Sequence, residues 1–181
     1  GNTEHALVIN DPDNPEIRLV RNEETNMGDF ITDAYRIQTG ADIAFMNGGS
    51  IRADIGAGEI KYMDLITVLP WNSEAGVIEV TGQQILDCLE MGARLAPEEC
   101  GGFIQTSGLT YTIDTTMESS VNVNSEGEFV SVDGEYRVKD VMVEEEPLDT
   151  DKTYTLAINR YYSEECGDGM TMFKGSKVIS P

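Results

Sequence analysis

The chain has 181 residues, of which 12 are Lys or Arg and 33 are Asp or Glu, so its formal net charge is −21 at neutral pH. Hydrophobic residues make up 40% of the sequence and charged residues 25%, which is the composition of a globular domain and excludes a disordered chain. Such a negative surface repels nucleic acid and anionic membranes. We therefore expect no nucleic-acid partner and no membrane insertion by this segment, in which no apolar run reaches the length of a bilayer span.

The composition also argues against several kinds of catalytic centre. His5 is the single histidine and lies close to the first residue of the sequence, so neither a zinc site built on histidines nor a Ser-His-Asp triad is expected. The three cysteines, Cys88, Cys100 and Cys166, are scattered without a CxxC spacing and allow one disulfide at most. We predict no catalytic residue and no metal site in this chain.

The first half of the sequence is predicted to be mainly helical. Residues 1–17 are polar and contain two Asx-Pro breaks, which indicates a linker or a loose entry strand ahead of a domain spanning residues 18–181. Apolar residues then recur at three- and four-residue spacing up to Gly40, which predicts a helix over about 24–39. We expect four further elements: a strand over 41–47, a glycine-rich loop over 48–59, a short helix over 62–70 and a strand over 74–80.

The second half changes to the two-residue period of strands. Thr81 and Gln84 have the spacing of a capping box and predict an amphipathic helix from residue 81 to about residue 95. Period-two patterns then predict strands over 103–114, 128–132, 136–143 and 153–159. Asp133-Gly134 is typical of a hairpin turn, and residues 167–170 are expected to form another tight turn. Helices predominate in the first half of the chain and strands in the second half. This order predicts an α+β domain, with a mixed β-sheet packed with helices.

The glycine-rich loop is a candidate ligand contact. Asn47 can donate and accept hydrogen bonds, as a base edge requires, and the Arg52 guanidinium can bind an anion or a polar ring edge. The loop has neither the ending of a Walker loop nor a dinucleotide fingerprint. A tight turn with an exposed arginine is the alternative interpretation.

Aromatic residues on two other loops are further candidates. Trp71, the single tryptophan, follows Pro70, and Tyr161 and Tyr162 precede the second tight turn. Two aromatic faces on separate loops could hold a flat heterocycle by stacking, although aromatic side chains more often complete a core. Asp168, between two glycines, could accept hydrogen bonds from a ribose diol or could only shape the turn.

Together, these segments resemble the 5′-nucleotidase C-terminal domain family over roughly residues 18–175. The blocks that carry the resemblance occur in the family's order: 24–34, 47–52, 57–72, 77–90, 102–114, 148–162 and 166–170. The resemblance implies that family's α+β fold with a mixed sheet. It also implies a partner, because members of the family pair this domain with an N-terminal metallophosphatase domain that holds two divalent metals.

The resemblance assigns a nucleoside- or nucleotide-binding role to six positions of this sequence. Arg21, Arg52 and Asn47 match polar positions of the family. Trp71 and Tyr162 match its two stacking positions, and Tyr162 lies six residues before Asp168. Asp168 matches the ribose-binding carboxylate. The sequence departs from the family pattern at Ser50 and Cys166, where the family has glycine.

The function implied by the resemblance is substrate recognition within an exported nucleotide phosphoesterase of the 5′-nucleotidase type, located outside the cell, in the cell wall or in the periplasm. The metals belong to the companion domain, so the chain alone is expected to hold no cofactor and to release no phosphate. A non-catalytic nucleotide-binding or cell-surface module that keeps the fold is the alternative. The sequence does not distinguish a 5′-nucleotidase from a 2′,3′-cyclic-nucleotide phosphodiesterase, a UDP-sugar hydrolase or a thiosulfohydrolase.

Overall fold

The computed structural model describes residues 1–71 and 74–180. The described residues form α-helices that we number in chain order: α1 (Asn26–Thr39), α2 (Tyr62–Val68), α3 (Gly82–Ala93) and α4 (Arg160–Ser163). The strands of the first half are β1 (Asn2–Thr3), β2 (Ile43–Asn47), β3 (Gly58–Glu59) and β4 (Ala75–Thr81). The later strands are β5 (Ile104–Ser107), β6 (Leu109–Ile113), β7 (Val121–Val123), β8 (Phe129–Val132), β9 (Val138–Val143), β10 (Glu146–Pro147), β11 (Thr153–Asn159) and β12 (Lys177–Ser180).

Local side-chain bonds explain where the two main helices begin. The Thr25 side chain accepts a hydrogen bond from the Gly28 amide at 3.1 Å and caps α1. At α3 the predicted capping box is present: the Gln84 amide donates to Thr81 Oγ1 at 3.2 Å, and the Thr81 amide donates to Gln84 Oε1 at 2.8 Å. These bonds satisfy amide donors that have no partner inside the helix. The helices predicted near 24–39, 62–70 and 81–95 are confirmed.

The central sheet is mixed, as predicted, with the strand order β12-β4-β11-β2-β5. Strands β2 and β11 run parallel, and the other neighbours are antiparallel. Since successive side chains of a strand point to opposite faces, β2 is buried on both sides. Phe45 packs in the cluster that contains Ile85 of α3, whereas Met46 packs in the cluster that contains Met27 and Ile31 of α1. The sheet therefore lies between the two helices.

The remaining strands correct two predictions made from the sequence. The strand predicted over 103–114 is two strands, β5 and β6, separated by Gly108, whose φ of 86° is left-handed and suits glycine. Asp133-Gly134 does not form the predicted hairpin turn, because β8 pairs with β7 while β9 pairs with β6 and β10. The two-residue turn joins β9 to β10 instead and consists of Glu144 and Glu145, whose φ values are 51° and 69°.

The first residues pack on the rest of the domain. Strand β1 pairs with β3, and Leu7 forms a further bridge with Ile55. Ile9 is buried, and its amide donates to Asp54 Oδ1 at 2.7 Å. Side-chain burial in this segment thus extends the cluster that covers one face of the sheet.

Two buried charged residues, Arg137 and Glu90, bond to the backbone near the C-terminal end of α3. Arg137 is 3% exposed and Glu90 is fully buried. The Arg137 guanidinium donates to the carbonyls of Ala93, at 3.1 Å, and Ala96. The Glu90 carboxylate accepts from the backbone amides of Arg137, at 3.1 Å, and Val138, at 2.9 Å. These contacts join α3 to β9 through groups that water does not reach.

Candidate functional site

The candidate site lies where the two parallel strands end. Strand β2 ends at Asn47 and β11 at Asn159, and the Asn159 Nδ2 donates to Asn47 Oδ1 at 3.3 Å. The carboxyl ends of parallel strands meet at one edge of a sheet, which is where open α/β sheets bind ligands. The segments around this edge enclose a cleft of about 730 Å³. Its lining residues are Arg21, Asn47, Gly49, Ser50, Trp71, Glu74, Gly101, Arg160, Tyr161, Glu164, Glu165 and Asp168.

The glycine-rich loop after β2 is held tightly against two neighbouring segments. The Gly48 amide donates to the Phe103 carbonyl at 2.8 Å, and the Gly49 amide donates to the Gly101 carbonyl at 2.8 Å. A Cβ atom at position 48 would lie 2.0 Å from the carbonyl oxygen of Val20. The loop therefore requires glycine at position 48 for close backbone approach.

Asn47 and Asp168 are hydrogen-bonded to each other. The Asn47 Nδ2 donates to Asp168 Oδ2 at 3.1 Å, while its Oδ1 accepts from Ser50 Oγ at 2.6 Å. Ser50, one of the two departures from the family pattern, thus fixes the orientation of the amide. Both ends of the Asn47 side chain have protein partners, so this residue holds Asp168 in place at the cleft.

Tyr162 is fully buried, which corrects the prediction of a stacking role for it. Its hydroxyl donates to Asp168 Oδ2 at 2.8 Å, and burial, together with the nearby Asp168 carboxylate, raises the pKa of Tyr162. The ring has no face open to a ligand. The prediction for Tyr162 counts six residues back from Asp168 and so assumes a loop of fixed length. In the helical turn of α4, adjacent side chains point in different directions, so a shift of one residue changes which ring faces the cleft.

Tyr161 occupies the position in the cleft that was predicted for its neighbour. Its side chain is 37% exposed and lines the cleft, and its hydroxyl accepts from the Asp168 amide at 3.1 Å. Burial of part of the side chain raises the pKa of Tyr161. Trp71, which is 60% exposed, lines the same cleft. The cleft therefore presents two aromatic side chains from separate segments, as the sequence suggested, with Tyr161 as the second of them.

Arginines gather beside the cleft on an otherwise acidic chain. Burial is the main cause that lowers the pKa of Arg21, and the positive charges of Arg18 and Arg52 lower it further. The negative charges of Glu99 and Asp168 act in the opposite direction. The Arg21 Nε is buried without a hydrogen-bond partner. Arg52 is exposed, donates from Nη1 to the Gly49 carbonyl at 3.1 Å, and is outside the residues that line the cleft. Within residues 1–71 and 74–180, none of these three arginines forms an ion pair.

Comparison with protein families matches residues 1–175 to the 5′-nucleotidase, C-terminal domain. The chain belongs to this family. It is 33% identical over 158 residues to the trifunctional nucleotide phosphoesterase protein YfkN of Bacillus subtilis, covering 85% of this chain and 10% of the relative. It is 31% identical over 185 residues to the cell wall protein Lmo0130 of Listeria monocytogenes, covering 96% of this chain and 21% of the relative.

Solved structures of family members share the fold. The crystal structure of a 5′-nucleotidase precursor from Thermus thermophilus matches 99% of this chain with a TM-score of 0.80 and 30% sequence identity, and the match covers 33% of that chain. This family member, like the two relatives by sequence, is much longer than the present chain. The family resemblance and the fold class inferred from the sequence are both confirmed.

Several residues at the cleft were not among the predicted site residues. Glu74, Arg160 and Glu164 form an ion-paired group at its rim, and Gly101 reaches it from the segment before β5. The pairing of β4 with β11 brings Glu74 to Arg160, whereas Arg160 and Glu164 are four residues apart in the chain. Arg160 could have been suspected from the scarcity of arginine in the chain and from its four-residue spacing to Glu164.

The described part of the chain offers no cluster of side chains suited to a metal ion. No group of three or more His, Cys, Asp or Glu residues there is arranged to hold one. In the same residues, no helix has the length and apolar character that a bilayer span needs. The three thiols are free, with Cys88 and Cys100 buried and Cys166 partly exposed.

Proposed function

We propose that this chain is the substrate-recognition domain of an exported, metal-dependent nucleotide phosphoesterase, and that its cleft binds the nucleoside part of the substrate. The observation that carries the proposal is the meeting of Trp71, Tyr161, Asp168 and Arg21 in one cleft of about 730 Å³. Relatives are named as a nucleotide phosphoesterase and a 5′-nucleotidase precursor. Export is supported by the relative named as a cell wall protein and by the precursor.

The side chains of the cleft suit the parts of a nucleotide. Trp71 and Tyr161 offer aromatic faces for a base, since stacking accepts any flat ring. Asp168 receives hydrogen bonds from Asn47 and Tyr162, and an ionised carboxylate keeps further acceptor sites for a ribose diol. Arg21, with Arg52 beside it, supplies the positive charge that a phosphate needs on this acidic chain.

The hydrolytic step requires groups beyond those of the cleft. We propose that the two divalent metals reside in a metallophosphatase domain of the same parent protein, where metal ions would activate water and stabilise the leaving charge. The present chain contributes binding and orientation of the substrate. The fraction of each relative that this chain covers, 10% for YfkN and 33% for the Thermus protein, leaves room for such a domain.

Removal of either aromatic wall is expected to weaken nucleoside binding. Trp71→Ala and Tyr161→Ala should each lower the affinity for adenosine and for AMP alike, by about 1–3 kcal/mol, because each removes a stacking face. Calorimetry measures both affinities, and ligand-dependent emission from Trp71, the single tryptophan, checks the site.

Tyr62→Ala is the matched control for these variants. Tyr62 is 77% exposed on α2 and does not line the cleft, so its removal should leave the affinity unchanged. If the wild-type chain binds no nucleoside, or if both cleft variants bind like the wild type, the proposed function is wrong. Hydrolysis of AMP by the parent protein with added divalent metal separates a phosphoesterase from a non-catalytic nucleotide-binding module.

The arginines should act on the phosphate and not on the nucleoside. Arg21→Ala and Arg52→Ala are expected to weaken AMP more than adenosine, and this excess should shrink as salt is raised, because salt screens charges at an exposed site. Affinities for the two ligands at low and high NaCl measure the effect. Lys177→Ala removes a cation that is paired with Glu79 away from the cleft lining, and it should affect neither ligand. An equal loss for adenosine and AMP would contradict the assignment.

A further inference from the structure

The two aromatic walls of the cleft belong to segments that are distant in sequence. Trp71 precedes β4, whereas Tyr161 lies in α4, directly after β11. A base can stack between them only if these segments keep a fixed separation. Whatever fixes that separation therefore controls nucleoside binding in the proposed function, on which this inference rests.

Arg160 bonds to one residue near each of the two aromatic side chains, Glu74 three positions after Trp71 and Glu164 three positions after Tyr161. Its Nη1 donates to Glu74 Oε2 at 2.9 Å, next to the start of β4. Its Nε and Nη2 donate to Glu164 Oε1 and Oε2 at 2.9 and 2.8 Å, one turn further along the chain. The second contact is the two-pronged arrangement in which a guanidinium binds a carboxylate most specifically.

The backbone places Arg160 at the junction. Strands β4 and β11 pair up to Asn159 and Ala75, and the Arg160 amide then donates to the Glu74 carbonyl at 3.1 Å. The antiparallel pairing of the sheet thus continues by one step to the rim of the cleft. Arg160 is also the first residue of α4, adjacent to Tyr161.

All three guanidinium nitrogens of Arg160 are bonded to carboxylates, although the residue lines the cleft. This argues against a role for Arg160 in binding a phosphate, because a substrate anion would have to displace Glu74 or Glu164. Exposed ion pairs of this kind contribute little to overall stability. Any consequence of these pairs is therefore expected locally, in the segments that they join.

We propose that Arg160 is a positioning residue that holds the Trp71 and Tyr161 segments at the separation required for stacking. The group Glu74–Arg160–Glu164 acts as a clamp across the mouth of the cleft. Without it, the two walls are no longer preorganised, and a ligand must order them on binding.

The test uses adenosine, which has no charge that salt could screen directly. Arg160→Ala should raise the Kd for adenosine about threefold to tenfold at low salt. This is the size of effect that the loss of two exposed ion pairs produces. The ratio of the variant Kd to the wild-type Kd should fall towards one at about 1 M NaCl, because salt weakens the clamp of the wild type. In the free protein, Arg160→Ala should increase quenching of Trp71 by acrylamide. Arg160→Lys, which cannot form the two-pronged contact, should restore the wild-type values only in part.

Two further variants complete the design. The double variant Glu74→Gln/Glu164→Gln removes the same ion pairs without leaving carboxylates unpaired and should reproduce the effect, which guards against misfolding of Arg160→Ala. Lys177→Ala breaks an ion pair with Glu79 elsewhere on β4 and should change neither quenching nor Kd. Wild-type-like quenching in both clamp variants overturns the positioning role, whether or not the protein binds nucleosides. Failure of the wild type to bind any nucleoside overturns the proposed function. Quenching is measured without ligand, so it decides separately whether the clamp holds Trp71 in place.

Discussion

Arg137→Ala is expected to lower the free energy of unfolding by roughly 3–5 kcal/mol, since each buried polar group that loses its partner costs about 1–3 kcal/mol. The Arg137 guanidinium donates to carbonyls at the end of α3, including those of Ala93 and Ala96, and also to the Asp114 carbonyl at 3.3 Å. At 3% exposure of Arg137, these carbonyls have little access to water that could replace it. Chemical denaturation followed by circular dichroism measures the change.

Lys139→Ala is the matched control for this prediction. Lys139 lies on the same strand, β9, and pairs at the surface with Glu135, so its removal should change stability by less than about 1 kcal/mol. Arg137→Met, which keeps much of the apolar stem without the donors, should destabilise nearly as much as Arg137→Ala. Denaturation midpoints for Arg137→Ala and Lys139→Ala that coincide would show that the buried hydrogen bonds do not stabilise the fold.

Gly48→Ala should disrupt the cleft itself. A Cβ atom at this position would lie 2.0 Å from the Val20 carbonyl oxygen and 2.8 Å from its carbon, and backbone atoms cannot move aside as a flexible side chain can. We expect a loss of about 3 kcal/mol in stability from this overpacking. The displaced loop carries Asn47 and Gly49, and so the affinity for adenosine should fall more than about tenfold, the equivalent of about 1.4 kcal/mol.

Gly56→Ala tests whether the effect is specific to the crowded position. An added Cβ at Gly56 meets no atom within 4 Å, and its φ is not left-handed, so this variant should keep both stability and affinity. Calorimetric titration and thermal unfolding of the two variants provide the comparison. Tight adenosine binding by Gly48→Ala would mean that the loop can move without harm to the site, contrary to the packing described above.

Local signals in the sequence were sufficient for the helices and the sheet class. Thr81 and Gln84 fixed the start of α3 because both capping bonds are made within four residues. Turn signals were less reliable, since they describe which residues favour a turn and not which strands pair with each other. Asp133-Gly134 has the favoured composition but lies between strands that do not pair, whereas Glu144-Glu145 closes the β9–β10 hairpin in a left-handed backbone that glycine or asparagine would adopt more readily.

The candidate site shows the same division between local and tertiary information. Trp71 and Asp168 were predicted from family resemblance to share one site, and both line the cleft. Tyr162 does not, because a one-residue difference in a helical turn decides whether a ring faces the core or the ligand. In the ion-paired group around Arg160, the four-residue spacing of Arg160 and Glu164 is a local signal. The contact with Glu74 depends on strand pairing, which that spacing does not reveal.

The parallel pairing of β2 with β11 has a consequence for folding. Asn47, which lines the cleft, and Asn159, which is hydrogen-bonded to it, are separated by 112 positions in the chain. Contacts of such high sequence separation form slowly, because a long loop must close before they provide any stabilisation. The helices can form early from local interactions, but the cleft exists only once this pairing is complete. Recovery of nucleoside binding during refolding should therefore follow formation of the central sheet, and a bound nucleoside should stabilise the whole sheet and not one loop.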